Sequence, residues 1–151
     1  MVSVRLLGLP VRLHLRSSEH AQSLEREFVL IGEQVRRDGP GSVPPRLLEV
    51  VAYLRSRHIT FGAQQEAALD AAVEAGHAQV DLDVPVPARA GRGAALLVEI
   101  LAEADRFCRE GRYLLTPVMP PDLLAYRHWY LQQFIDQTAG GPARPWTGPL
   151  K

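Results

Sequence analysis

The densest run of side chains able to do chemistry is Tyr126, Arg127, His128, Trp129, Tyr130. Rings, a guanidinium and an imidazole can stack, hydrogen-bond and hold ions. Consecutive residues of a helix point about 100° apart, so one core cannot take all five. The pair Pro120 and Pro121 opens a helix here, because a first turn needs no amide donor from proline. Leu124, Leu131, Phe134, Ile135 and Thr138 supply its inward stripe. Two residues step about 200° around a helix, so Trp129 points well away from Leu131. A large aromatic at that position requires cover from the tail bearing Trp146, from another layer, or from a partner. Interfaces favour Trp, Tyr and Arg, so Tyr126, Arg127, Trp129, Tyr130 and Trp146 are the expected interface. Cover by the tail would instead bury Trp129 and Trp146 in the chain's own fold.

Other constellations are weaker. Asp81 and Asp83 lie two apart on a predicted strand and share a face. They could bind a cation or share a proton, or they could form a charged edge that resists aggregation. The run Ala90 to Gly93, AGRG, falls between a strand and a helix, where phosphate loops occur. It lacks both the GxxxxGK[ST] and the GxGxxG patterns. Arg92 and Gly93, with a pocket near His128, remain the candidates for a nucleotide or other small ligand. His14, His20, His58, His77 and His128 are scattered, with no HExxH and no GxSxG run. No catalytic residue, metal ligand or cofactor is therefore expected. Cys108 is the single cysteine, which excludes an internal disulfide, and its helical position beside Phe107 reads as a buried thiol.

The elements that must position these residues follow from periodicity. The chain has 151 residues, 46% of them hydrophobic and 23% charged, as expected of one globular domain. Seventeen basic and seventeen acidic side chains cancel. No long-range field then favours nucleic acid or an anionic membrane. No apolar run reaches the roughly 20 residues that span a bilayer. A cytoplasmic protein with a protein partner, or with a second copy of itself, is expected.

Val2–Arg16 reads as extended chain, since Val11, Leu13 and Leu15 alternate with Arg12, His14 and Arg16. Arg12, His14 and Arg16 would then form a solvated face or an anion site. Ser17 or Ser18 caps a helix whose inward residues are Ala21, Leu24, Phe28, Ile31 and Val35. The run from Asp38 to Pro45, DGPGSVPP, is a loop. Short helices follow at 46–57 and 63–75, with Phe61 between them as a core contact or an exposed anchor. Gln79–Val86 is a strand with Val80, Leu82, Val84 and Val86 on one face. A loop over 87–93 leads to a helix from Ala94, whose stripe is Leu97, Ile100, Leu101, Ala104, Phe107 and Cys108. Tyr113–Val118 reads as a third strand, and Gly140 onward as a tail lying on the surface or free of it. The fold class is α+β: about three strands, mixed or antiparallel, covered by about five helices. Residues 1–139 form one domain, and 140–151 the tail.

The stretches VRLLGLPVRLHLRSSEHAQSLEREFVLI and ADRFCREGRYLLTPVMPPDLLAYRHWYLQQFIDQTAGGPARPW resemble a sparsely characterised actinobacterial family. Its members accompany anti-sigma kinases, serine phosphatases and anti-anti-sigma domains in partner-switching systems. The likeness covers both ends and is weaker from Asp38 to Ala78. It transfers no functional residue. The chain lacks the asparagine-bearing helix and the glycine-rich lid of the kinase fold in those systems. The resemblance implies a non-enzymatic regulator or adaptor acting through another protein, in a stress-response or sigma-factor pathway.

Overall fold

The computed structural model describes residues 1–39, 41, 43–56, 61–111 and 114–150. Among them β1 (Val2–Pro10) pairs antiparallel with β2 (Gln79–Val86). Five helices accompany this sheet: α1 (Val11–Asp38), α2 (Pro45–Ser56), α3 (Ala63–Glu74), α4 (Ala90–Glu110) and α5 (Pro121–Thr138). The class is α+β, with two strands in place of about three.

Three expectations are corrected, each for a physical reason. Residues 11–16 are the opening of α1, not a strand. β1 ends at Pro10, and the Val11 amide, which has no acceptor within the helix it opens, donates to the Ala78 carbonyl at 3.0 Å. Leu13 is buried while Leu15 is largely exposed, so the alternation did not mark one face. Ser17 and Ser18 then lie inside α1 and cap nothing.

Residues 114–118 form no strand, and Tyr113 lies outside the described residues. The donors that a sheet would use go elsewhere. The Leu115 amide donates to a Glu27 carboxylate oxygen at 2.6 Å, and the Thr116 amide and hydroxyl donate to the other oxygen. Finally, Ala90–Gly93 is the first turn of α4, not a loop. Gly91 lies where a methyl group would sit 2.1 Å from the Thr138 hydroxyl and 3.3 Å from the Phe134 carbonyl. Its glycine serves the close passage of α4 across α5.

The chain forms two compact units. The first comprises Met1–Ser17, Thr60–Val98 and Pro120–Lys151 and contains the sheet. Its register runs from Val2↔Val86 to Leu6↔Leu82, is interrupted, and resumes at Leu9↔Val80. Gly8 sits in the interruption at φ +63°, a left-handed conformation that glycine takes without strain. Side chains of β2 hold this bulge. Asp81 accepts the Gly8 amide at 2.7 Å, and the Gln79 carboxamide donates to the Gly8 carbonyl at 2.9 Å.

Both outer edges of the sheet meet glutamines. The Gln137 carboxamide accepts from the Arg5 amide and donates to the Arg5 carbonyl, both at 2.8 Å. On the other edge, Gln65 donates to the Asp83 carbonyl at 2.7 Å. A carboxamide carries the same donor and acceptor pair as a peptide, so Gln137 stands in for a missing strand, whereas Gln65 satisfies one carbonyl and its oxygen accepts the Gly62 amide at 3.1 Å. Val4, Leu6 and Leu9 of β1, Leu82, Val84 and Val86 of β2, Leu69 of α3, and Leu123, Leu131 and Phe134 of α5 are buried.

The second unit comprises Ser18–Ile59 and Glu99–Met119. Leu24, Phe28 and Ile31 of α1 meet Leu47 and Val51 of α2, Cys108 of α4, and Leu114. Val50, Ile100 and Ala104 form a second cluster. On its surface the Arg46 guanidinium forks onto Glu103 and reaches Glu49 at 2.9 Å. That bonding holds the Glu103 carboxyl below its usual range.

Candidate functional site

The candidate site lies in the first unit, on the side of α5 that faces away from Leu131. Helix α5 stops in a glycine turn. The Gly140 amide donates to the Gln137 carbonyl at 3.1 Å and the Gly141 amide to the Asp136 carbonyl at 2.8 Å. Gly140 has φ +91°, and a methyl group on Gly141 would press to 2.9 Å from the Asp136 carbonyl. These are the bonds of a Schellman stop, which reverses the chain.

The chain then runs back along α5. The Arg144 amide donates to the Gln133 carboxamide at 2.9 Å, and the Trp129 indole donates to the Arg144 carbonyl at 2.8 Å. The Trp146 amide donates to the Leu7 carbonyl at 3.0 Å, beside the Gly8 bulge. The Trp146 ring meets Tyr126 and Trp129 edge-on, with centroids 6.0 and 5.7 Å away. Its indole donates to the Pro149 carbonyl at 3.0 Å, and the ring lies so close over Gly148 that any side chain there would collide at 2.4 Å. Pro145 to Pro149 is thus a hook wrapped around its own tryptophan.

Beyond Tyr126 the aromatic layer continues to His14. Its Nδ1 and the Tyr126 hydroxyl are 2.7 Å apart. The imidazole stacks on Phe61 at 5.2 Å and 11°, with Tyr130 at 6.4 Å. Burial lowers the His14 pKa to about 4, so the ring is neutral at physiological pH. Burial, and then the neighbouring Tyr130, hold the Tyr126 phenol well above its usual range. Burial and then Glu66 do the same for Tyr130. These phenols therefore stay protonated donors. Arg16, two residues along α1, donates to Asp122 at 2.6 Å and keeps that carboxyl below its usual range.

The expected interface residues separate under this geometry. Tyr126 is 2% exposed and Trp146 8%, so the two are interior and form no open surface. Trp129, Tyr130 and Arg127 are half-buried. The tail supplies the cover that Trp129 requires. The candidates for a small ligand do not converge. Arg92 is exposed in the first turn of α4, and there the Ala90 and Arg92 amides are bonded to the Pro87 and Arg89 carbonyls rather than free for a phosphate. Gly93 is half-buried with open space where a Cβ would stand, and His128 is exposed on α5.

Asp81 is occupied by the bulge, and Asp83 stands 3.7 Å from Arg5 on an exposed edge. Among the described residues no three His, Cys, Asp or Glu side chains group closely enough to hold a metal. Among them, too, no helix is long and apolar enough to cross a membrane. The sequence names Phe61 as a core contact or an exposed anchor and puts His14 on a strand face, but gives no sign that the two stack on each other beside Tyr126 and Tyr130. The signal for the tail's course was present in the spacing Tyr126, Trp129, Gln133, Asp136, a helical stripe that ends at a glycine pair.

The second unit offers a different feature. His20 Nε2 lies 2.9 Å from the Pro117 carbonyl, and Glu27 holds Leu115 and Thr116 seven residues further along the same face of α1. The 114–119 segment is therefore pinned at two points. Leu114, Thr116 and Met119 are buried, while Leu115 stands 81% exposed and Val118 is also exposed. Leu30, one turn along α1 from Glu27, is 64% exposed. Comparison with protein-family profiles, curated proteins and solved structures finds no match.

Proposed function

We propose that the chain is a non-enzymatic adaptor or regulator that binds another protein through the 114–119 segment of its second unit. The observation that supports this is the display of Leu115, an almost fully exposed leucine on backbone pinned by Glu27 and His20. Backbone already held in place gives up less freedom on docking than a loose loop would, so more of the gain from burying Leu115 remains for affinity. Val118, three residues along the same segment, and Leu30 of the same unit are also exposed apolar side chains. The partner's complementary feature is an apolar pocket. The resemblance to accessory proteins of sigma-factor partner switching suggests a component of such a system as that partner, and a cytoplasmic location.

A photoreactive amino acid placed at position 115 in the native host identifies the protein it captures. Binding of that purified protein to wild type and to Leu115→Glu then decides the matter. A hot-spot leucine costs at least about 2 kcal/mol on such replacement, roughly thirtyfold in Kd. Equal affinities for the two forms, with an unchanged melting temperature, would overturn the proposal.

A further inference from the structure

The geometry points to a second binding site, independent of Leu115. We propose that residues 142–149 are a detachable ligand held in cis, and that the groove beneath them takes a proline-rich segment of a partner with the same hooked course. The groove lies between β1 and α5 and is formed by Leu7, Tyr126, Trp129 and Gln133.

Three observations favour a ligand over an ordinary piece of core. First, of residues 140–150 only Trp146 is buried, so the segment is seated by one anchor. Peptide ligands that dock through a single aromatic have this distribution. Second, the bonds to the segment address main chain. The Gln133 carboxamide accepts the Arg144 amide, the Trp129 indole donates to the Arg144 carbonyl, and the Leu7 carbonyl accepts the Trp146 amide. An indole N–H aimed at the carbonyl preceding a proline, within an aromatic-lined groove, is how proline-rich chains are recognised. Third, the segment is shaped before it docks. Pro142, Pro145 and Pro149 restrict it, Gly148 admits the tryptophan ring, and the Trp146 indole closes onto the Pro149 carbonyl. A pre-shaped chain gives up less freedom on binding.

The occupant in trans is defined by what the cis segment shows to fit. It is a peptide able to take the same hook, bearing proline, then tryptophan, then glycine and proline at the spacing Pro-Trp-x-Gly-Pro. Tethering sets the competition. Even a short flexible linker gives an effective concentration of order millimolar, and the hydrogen-bonded glycine stop aims the hook at the groove, so a partner must match that or arrive with other contacts. The hook thus keeps the groove closed to weak ligands.

The test uses the full chain and the synthetic peptide GPARPWTGPL, fluorescently labelled. Hydrogen exchange of wild type comes first. The Arg144 and Trp146 amides should exchange at least a hundredfold faster than the Leu6 and Leu82 amides, showing that the hook opens while the sheet stays closed. Equal rates would overturn the proposal. Peptide binding comes second. Trp146→Ala, which vacates the groove, should bind the peptide at least tenfold more tightly than wild type does. Adding Trp129→Phe, which removes the indole donor, should weaken that binding about tenfold. Should Trp146→Ala unfold, the peptide must raise its melting temperature by several degrees, and absence of that shift counts against the proposal. A wild-type chain that takes no peptide at millimolar concentration has a structural tail only, which also overturns it. None of these readings involves Leu115, so the adaptor proposal stands or falls separately.

Discussion

Two segments of this protein lack regular secondary structure and hold opposite relations to solvent. Residues 114–119 and 140–150 are each fastened by side-chain hydrogen bonds from a helix, Glu27 and His20 in one case, Gln133 and Trp129 in the other. The first turns a leucine outward and the second turns a tryptophan inward. The difference arises at the next layer. Tyr126 and Trp129 on α5 provide an apolar cleft wide enough for an indole, whereas the pinned 114–119 segment leaves Leu115 facing water. Ordered backbone is therefore no sign of a buried side chain.

The contrast can be broken most strongly at its buried member. Trp146→Ala should cost about 3–5 kcal/mol of unfolding free energy, as for core aromatics, measured by denaturant titration. Acid provides the next largest effect. The His14 pKa is depressed from 6.5 to about 4, so the unfolded chain takes up this proton first as pH falls. Stability is complete above pH 6.5, declines between 6.5 and 4 by roughly 3 kcal/mol, and loses nothing further from this group below that. His14→Phe should remove that part of the slope in melts taken across the interval.

Smaller still is release of the displayed segment. Glu27→Ala strands the Leu115 and Thr116 donors and should cost about 1–3 kcal/mol, with faster hydrogen exchange at those two amides. Last, Leu115→Ser should change the melting free energy by less than about 0.5 kcal/mol, since the side chain touches little. A Leu115→Ser cost near that of Trp146→Ala would erase the distinction between the two segments.

What the sequence revealed and what it hid divide along the range of the forces involved. β2 was legible to its ends because Val80, Leu82, Val84 and Val86 alternate and Pro87 follows. α5 was legible because Pro121 opens it and the glycine pair follows Thr138. Those signals are local. Val11 to Arg16 carried an equally clean local alternation, yet they open α1, whose Val11 amide, an orphan at the helix start, is taken by the Ala78 carbonyl far away in sequence. Likewise the strand expected at 114–118 lost its donors to Glu27, some 88 residues earlier. In the candidate site, the need for Trp129 to be covered followed from helical geometry. The joining of His14 and Phe61 to the same layer did not, because it depended on α1 starting six residues before Ser17, the first serine expected to cap it.

The stop at Gly140 and Gly141 makes α5 a ruler for the hook. The chain leaves the helix at a fixed point and returns antiparallel, so the distance from Trp129 to that point sets which hook residue reaches the cleft. One residue inserted between Trp129 and Gly140 would turn the stop by about 100° and send the returning chain down the wrong face. Seven inserted residues, close to two full turns, would restore the face but move the stop about 10 Å further off. Roughly three extra residues of extended hook, at about 3.3 Å each, would be needed to bring the tryptophan back. Changes of length in this helix are thus tolerated only in matched pairs, one in the helix and one in the hook.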